Sequence, residues 1–142
     1  MRKKYIFIAG ITLLLLGMGY GWYWYHKPHT GVEGVKAMAH LDAVTLYGGF
    51  QKDETKADQQ FVGQVLSVEG KVSQVSRTDS SMSLLLDCGN GSPGGINCSM
   101  ARGESNKMPE PEKGAKITIK GRCTGFLMDV NMVDCVIEQI ER

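Results

Sequence analysis

Four cysteines, Cys88, Cys98, Cys123 and Cys135, carry the most reactive chemistry in this chain, and their spacing narrows what that chemistry is. No two form a C-x-x-C pair and no histidine stands near them. A thioredoxin-type redox couple and a tetrahedral zinc site are therefore not encoded. An even number of cysteines in a small domain outside the cytoplasm is the pattern of structural crosslinks. Cys88 and Cys98 flank the glycine-dense reversal at residues 89–95, and Cys123 and Cys135 flank residues 128–130. A disulfide needs Cα atoms about 4.4 to 6.8 Å apart, which residues opposed across a hairpin meet. The expected bridges are Cys88 with Cys98 and Cys123 with Cys135, with Cys98 to Cys135 as the rival.

The remaining groups offer less. His26, His29 and His40 are the only imidazoles; two lie just after an apolar segment and the third is isolated. No G-x-S-x-G, H-E-x-x-H or phosphate-loop pattern occurs, so no catalytic residue, metal or cofactor is assigned. Asp134 reads as part of a solvated strand face. The run Phe126-Leu127-Met128-Asp129 is different, because three apolar residues at a turn exceed what the turn itself requires. Phe126, Leu127, Met128 and Asp129 are the candidate binding residues. The competing explanation is that they plug the mouth of a barrel, as apolar residues commonly do.

The elements that position these groups begin with residues 1–25. Residues 5–25 carry no charge, and 21 residues at about 1.5 Å each reach about 30 Å, the thickness of a bilayer's hydrocarbon core. Arg2, Lys3 and Lys4 precede this run, and Tyr20, Trp22, Tyr23, Trp24 and Tyr25 close it as an interfacial aromatic belt. A cleaved signal would need small residues where these aromatics stand. The expectation is an uncleaved single-pass anchor in the inner, cytoplasmic membrane, with the N-terminus in the cytoplasm and the C-terminal domain periplasmic. Without its first three basic residues the chain holds 13 basic against 15 acidic residues, net −2, so bulk positive charge does not attract its partners.

Residues 26–34, with Pro28, Gly31 and Gly34, read as a linker, and residues 35–61 as a short helical segment. Val35, Met38, Leu41, Val44, Tyr47 and Phe50 recur at three-residue steps, predicting one helix face that breaks at Gly48-Gly49. Asp53 can cap a second helix through Phe61. From residue 62 to 142 the period becomes two. Val65, Val68, Val72 and Val75 predict a long strand with a bend near Glu69-Gly70, followed by strands around residues 84–88, 96–100, 117–123 and 133–137. The last is expected to face inward through Val133, Cys135 and Ile137. The fold class is mainly β: a five-stranded OB-fold barrel preceded by one or two short helices and an N-terminal transmembrane helix.

Specific stretches then carry a family likeness. Lys27-Pro28-His29, Phe50-Gln-Lys-Asp-Glu54, the segment from Phe61 to Val72, Ile96-Asn-Cys98 and above all Lys120-Gly-Arg-Cys-Thr-Gly-Phe-Leu-Met-Asp-Val130 resemble the tRNA_anti-like family of exported bacterial OB-fold proteins. The resemblance covers nearly all of the chain after the anchor. It implies an OB barrel in the cell envelope, without an assigned activity; a lipidated N-terminus, seen in many members, has no acceptor cysteine here. Nucleic-acid binding is disfavoured by composition. Seven of the eleven aromatic residues lie at or before Tyr25, and Lys71, Lys116, Lys120 and Arg122 make a basic patch offset by acids. The expected partners are the membrane and another envelope protein.

Overall fold

The computed structural model describes residues 1–26, 31–89 and 91–141. The Lys27-Pro28-His29 element, most of the proposed linker's start and Asn90 of the glycine-dense reversal lie outside the described residues. The chain divides into two units, Met1–Thr30 and Gly31–Arg142. The first is one helix, α1 (Arg2–Tyr25), 24 residues with no buried side chain, long and apolar enough to cross a membrane. His26 stacks on Trp22 at its end, ring centroids 4.5 Å apart.

The second unit is a closed barrel with one extra strand. Strand β1 (Ala39–Asp42) leads into helices α2 (Ala43–Lys52) and α3 (Glu54–Phe61). Then come β2 (Val65–Arg77), β3 (Met82–Asp87), β4 (Ile96–Met100), β5 (Lys116–Phe126) and β6 (Val130–Glu141). The thirteen-residue β2 serves two partners: its first half pairs antiparallel with β5, from Val65 opposite Arg122 to Lys71 opposite Lys116, and its second half with β3. Strand β4 pairs antiparallel with β3 and parallel with β6, which returns antiparallel to β5. The circuit β2-β3-β4-β6-β5-β2 closes, removing exposed edges, and is the five-stranded OB barrel expected from the sequence. Strand β1 lies parallel to β2, with Ala39 opposite Leu66.

Three local expectations are corrected. The predicted helix over residues 35–50 begins only at Ala43, where the Asp42 side chain caps it by accepting from the Thr45 amide. Its buried positions, Ala43, Leu46, Tyr47 and Phe50, follow the 3.6-residue period, whereas the three-residue row drifts off the face and leaves Val35, Met38 and Val44 exposed. Gly48 and Gly49 lie inside the helix. In β2 the register slips between Val72 and Gln74, not at Glu69-Gly70; Gly70 is there for close approach, since a Cβ would sit 2.9 Å from the Cβ of Ala43. In β6 the inward residues are Val130, Met132 and Cys135, with Val133 half-buried. Asp134, at φ +53°, absorbs the change of phase as a bulge.

The register also separates the expected disulfide partners. All four cysteines are buried free thiols. Cys98 lies opposite Leu84, and Cys88 falls beyond the last β3–β4 pair, Leu86 with Ile96. Cys123 lies opposite Met132, three residues short of Cys135. Neither hairpin bridge is therefore formed: hairpin symmetry in the sequence is not strand register, since the β5–β6 pairing starts with Phe126 opposite Val130 and slips between Cys123 and Gly125.

Candidate functional site

The β5–β6 turn holds the four residues singled out by sequence, and their side chains divide into two pairs with opposite orientations. Phe126 and Asp129 point back into the domain. The Phe126 ring packs on Phe50, centroids 5.6 Å apart and nearly parallel, and edge-on against Tyr47 at 5.7 Å; Phe50 in turn meets Phe61 at 6.0 Å. Asp129 accepts the Gly95 amide at 2.7 Å, while the Val130 amide donates to the Gly95 carbonyl at 3.0 Å. A charge-assisted bond to a backbone amide is among the stronger kinds.

Leu127 and Met128 point outward. They are 87% and 69% exposed, although the backbone between them and β6 is held. The Tyr47 hydroxyl donates to the Met128 carbonyl at 3.3 Å, and the Leu127 amide donates to the Asp129 carbonyl at 3.2 Å. Gly94 lets this arrangement close, because a Cβ there would lie 2.6 Å from Asp129 Oδ1 and still nearer the Met128 carbonyl. Beside the turn runs an open groove lined by Asp58, Gln59, Val62, Phe126, Leu127 and Asn131. The turn is thus an ordered platform that presents two apolar side chains to solvent.

Two other chemistries can be weighed against the same geometry. Tyr47, Phe50, Phe61 and Phe126 are all the aromatic residues after Tyr25, and each is engaged in the one cluster. None stands on the outer face of β3 and β4, where OB folds take oligonucleotides. That face and its borders present Gln74, Ser83, Leu85, Asn97, Ser99 and Asn131, with Asn97 donating to Asn131 at 3.3 Å. Three of the four cations of the basic patch, Lys116, Lys120 and Arg122, are engaged as well. Lys116 pairs with Glu69 and, at 3.9 Å, with Glu141; Lys120 pairs with Glu138 at 3.4 Å and donates to the Glu33 carbonyl; Arg122 donates to the Gly63 carbonyl. Among the described residues no group of three or more His, Cys, Asp and Glu is placed to hold a metal.

The thiols are chemically quiet. Burial, then the charge of Asp87, pushes Cys88 up to about 12, and its thiol donates to the Ala43 carbonyl at 3.4 Å. Burial also raises Cys123. His40 is exposed on β1 rather than on a helix. What sequence reasoning missed was the supporting set: Tyr47, Gly94 and Gly95 hold the turn, and only Gly94-Gly95 carried a local signal, as a glycine pair ending a loop.

Solved structures include one with a similar fold. A lipoprotein from Klebsiella pneumoniae subsp. pneumoniae, provisionally named as nucleic-acid-binding, superposes with a TM-score of 0.55 at 13% identity, covering 70% of this chain and 91% of that one. The Stn1–Ten1 complex of S. pombe gives a TM-score of 0.37 at 12% identity, with 54% of this chain and 56% of that chain covered. No curated protein matches the chain. The family model for tRNA_anti-like proteins spans residues 1–137, which take in helix α1, strands β1 to β5 and most of β6, and the chain belongs to the tRNA_anti-like family.

Proposed function

We propose that this protein is a non-catalytic OB-fold module of the bacterial cell envelope, held at the cytoplasmic membrane by α1 and binding another envelope protein through the β5–β6 turn. The observation that carries the reading is the exposure of Leu127 and Met128 on a turn whose backbone is fixed from beneath. Apolar side chains on a fixed support lose little conformational entropy on docking, which is how a small contact becomes a specific one. The charge pattern supports the topology, since Arg2, Lys3 and Lys4 precede the apolar helix and hold that end inside. The partner's complementary surface would be an apolar pocket rimmed with polar groups.

A photo-crosslinking residue at position 127 in intact cells tests this. Capture of one discrete membrane or envelope protein, lost when Met128→Ser is added, is the expected outcome. No adduct from position 127, or only the adducts also obtained from a control position such as Ser99, overturns it.

The name of the Klebsiella neighbour brings in a second reading, oligonucleotide binding. It requires stacking surfaces that this chain spends internally, each aromatic–base stack otherwise giving about 1 to 3 kcal/mol, and a basic groove, whereas three of the four patch cations are already engaged. A gel-retardation series from low to high salt separates the two. Binding that weakens steeply with salt would establish this second reading, because phosphate contacts release counterions.

A further inference from the structure

Cys98 and Cys135 stand on the parallel strands β4 and β6 and are both completely buried. Simple alternation would not bring them together. Cys98 lies opposite Met132, and the next pair is Met100 with Cys135, so β6 advances three residues while β4 advances two. Met132 and Cys135 nevertheless both face the core, because the bulge at Asp134 takes up the odd residue in the left-handed region that Asp tolerates better than most side chains. The bulge turns the Cys135 thiol inward, to the core side it shares with Cys98, whose thiol is the foremost influence on it. Gly121 on β5 leaves room for it, since a Cβ there would lie 2.5 Å from the Cys135 sulfur. Three separate features, a bulge, a bare glycine and full burial, converge on one thiol pair.

We propose that Cys98 and Cys135 are joined as a disulfide in the exported protein, locking β4 to β6 along the parallel seam that completes the barrel. The proposal rests on the exported location put forward above. The bond forms by thiol–disulfide exchange with the disulfide of an exported thiol oxidoreductase. One cysteine thiolate attacks that disulfide to give a mixed disulfide, and the second cysteine displaces the oxidoreductase thiol. The two thiols lose two protons and two electrons, and the oxidoreductase leaves as a dithiol. Because the pair is sealed, exchange occurs while the strands are still open. The Cys98 thiol beside it and its burial hold Cys135 well above the ordinary thiol range, so the closed dithiol form reacts slowly. Cys88, whose thiol donates to the Ala43 carbonyl, and Cys123, which lies opposite Met132, stay reduced.

The test uses the full-length protein from membranes, trapped with alkylating agent under denaturing conditions. In a Cys88→Ala/Cys123→Ala variant, no thiol should react before reduction and two should react after it. Two reactive thiols before reduction, in a domain shown to be exported, overturn the proposal. Should the double variant fail to accumulate, the wild-type chain answers the same question. Hydroxylamine cleavage at Asn90-Gly91 separates Cys88 from Cys98, and chymotryptic cleavage after Phe126 separates Cys123 from Cys135. A crosslink between the Cys98 and Cys135 fragments is expected, and any other pairing overturns it. A C-terminal alkaline phosphatase fusion reports location independently. If that fusion is inactive, the exported reading fails, and refolding the full chain in detergent with a glutathione redox mixture decides the pairing: recovery of the 98–135 crosslink supports it and its absence overturns it.

Discussion

The two ends of the β5–β6 hairpin are built on opposite principles. At the turn, the side chains of Leu127 and Met128 are largely exposed, while the backbone that carries them is held from the buried side by Phe126, Tyr47 and Asp129. At the base, Lys116 is exposed and fully engaged, paired with Glu69 on β2 and Glu141 on β6. Exposure therefore means different things along one hairpin. At the base the exposed side chains complete each other; at the turn they are left over once folding has taken what it needs, and surplus chemistry on an ordered support is where binding is to be sought.

The largest way to break this contrast is to remove the support of the turn. Phe126→Ala deletes a ring packed between Tyr47 and Phe50 and should cost about 3 kcal/mol, at the low end for Phe to Ala because the ring is only half-buried. Thermal unfolding of the full-length chain in detergent micelles, followed by β-sheet circular dichroism, should show a fall in Tm of several degrees. A Tm unchanged from wild type would mean that the ring is not part of the core. Gly94→Ala is expected to come next, at about 1 to 3 kcal/mol, since its Cβ forces the Met128 carbonyl and the Asp129 carboxylate away from their partners. Its signature is a turn that becomes protease-sensitive before the barrel melts.

These positions also show what the sequence made legible. The barrel was readable because period-two alternation runs through β3, β4 and β5, and the flanking glycines mark the reversals. The turn residues were readable as a group, because Phe-Leu-Met has no conformational role in a reversal. What alternation could not show is phase across a bulge. Asp134 shifts β6 by one residue, which moved Val133 out of the core, whereas the register at the turn, with Phe126 opposite Val130, had already set Cys123 opposite Met132 rather than Cys135. Strand β1 was hidden for a related reason: four residues next to a helix fit the helical row nearly as well, and only the parallel partner β2, available through tertiary contact, decides. The inward roles of Phe126 and Asp129 depend on Tyr47 and Gly95, which are remote in sequence.

Sharpening the contrast at the turn calls for a variant that leaves folding alone. Leu127→Ser combined with Met128→Ser removes the exposed apolar surface while keeping every backbone bond, so stability should stay within about 0.5 kcal/mol of wild type. Co-purification of the envelope partner from membranes should fall at least tenfold. A clear loss of Tm in this double variant would show that the side chains are structural, and the turn would then resemble the base.

The base is expected to respond to charge and salt instead, and the sign follows from Lys116. Its hydrogen bond with Glu69, then the charges of Glu69 and Glu141, raise its ammonium above the ordinary lysine value. A group raised in the folded state adds stability that is fully present below the unfolded value, about 10.4, and is lost as pH climbs through the folded value. The difference in Tm between wild type and Lys116→Met should accordingly be present at neutral pH and close as pH climbs through the raised value, with the wild type falling toward the variant. Because these groups are exposed, the difference is small and should also shrink in 1 M salt, where the screening length is about 3 Å. The Leu127→Ser/Met128→Ser variant should show no such dependence on either variable. A salt-insensitive difference at Lys116 would mean that its alkyl stem, packed along the barrel rim, and not its charge, is what the base of the hairpin uses.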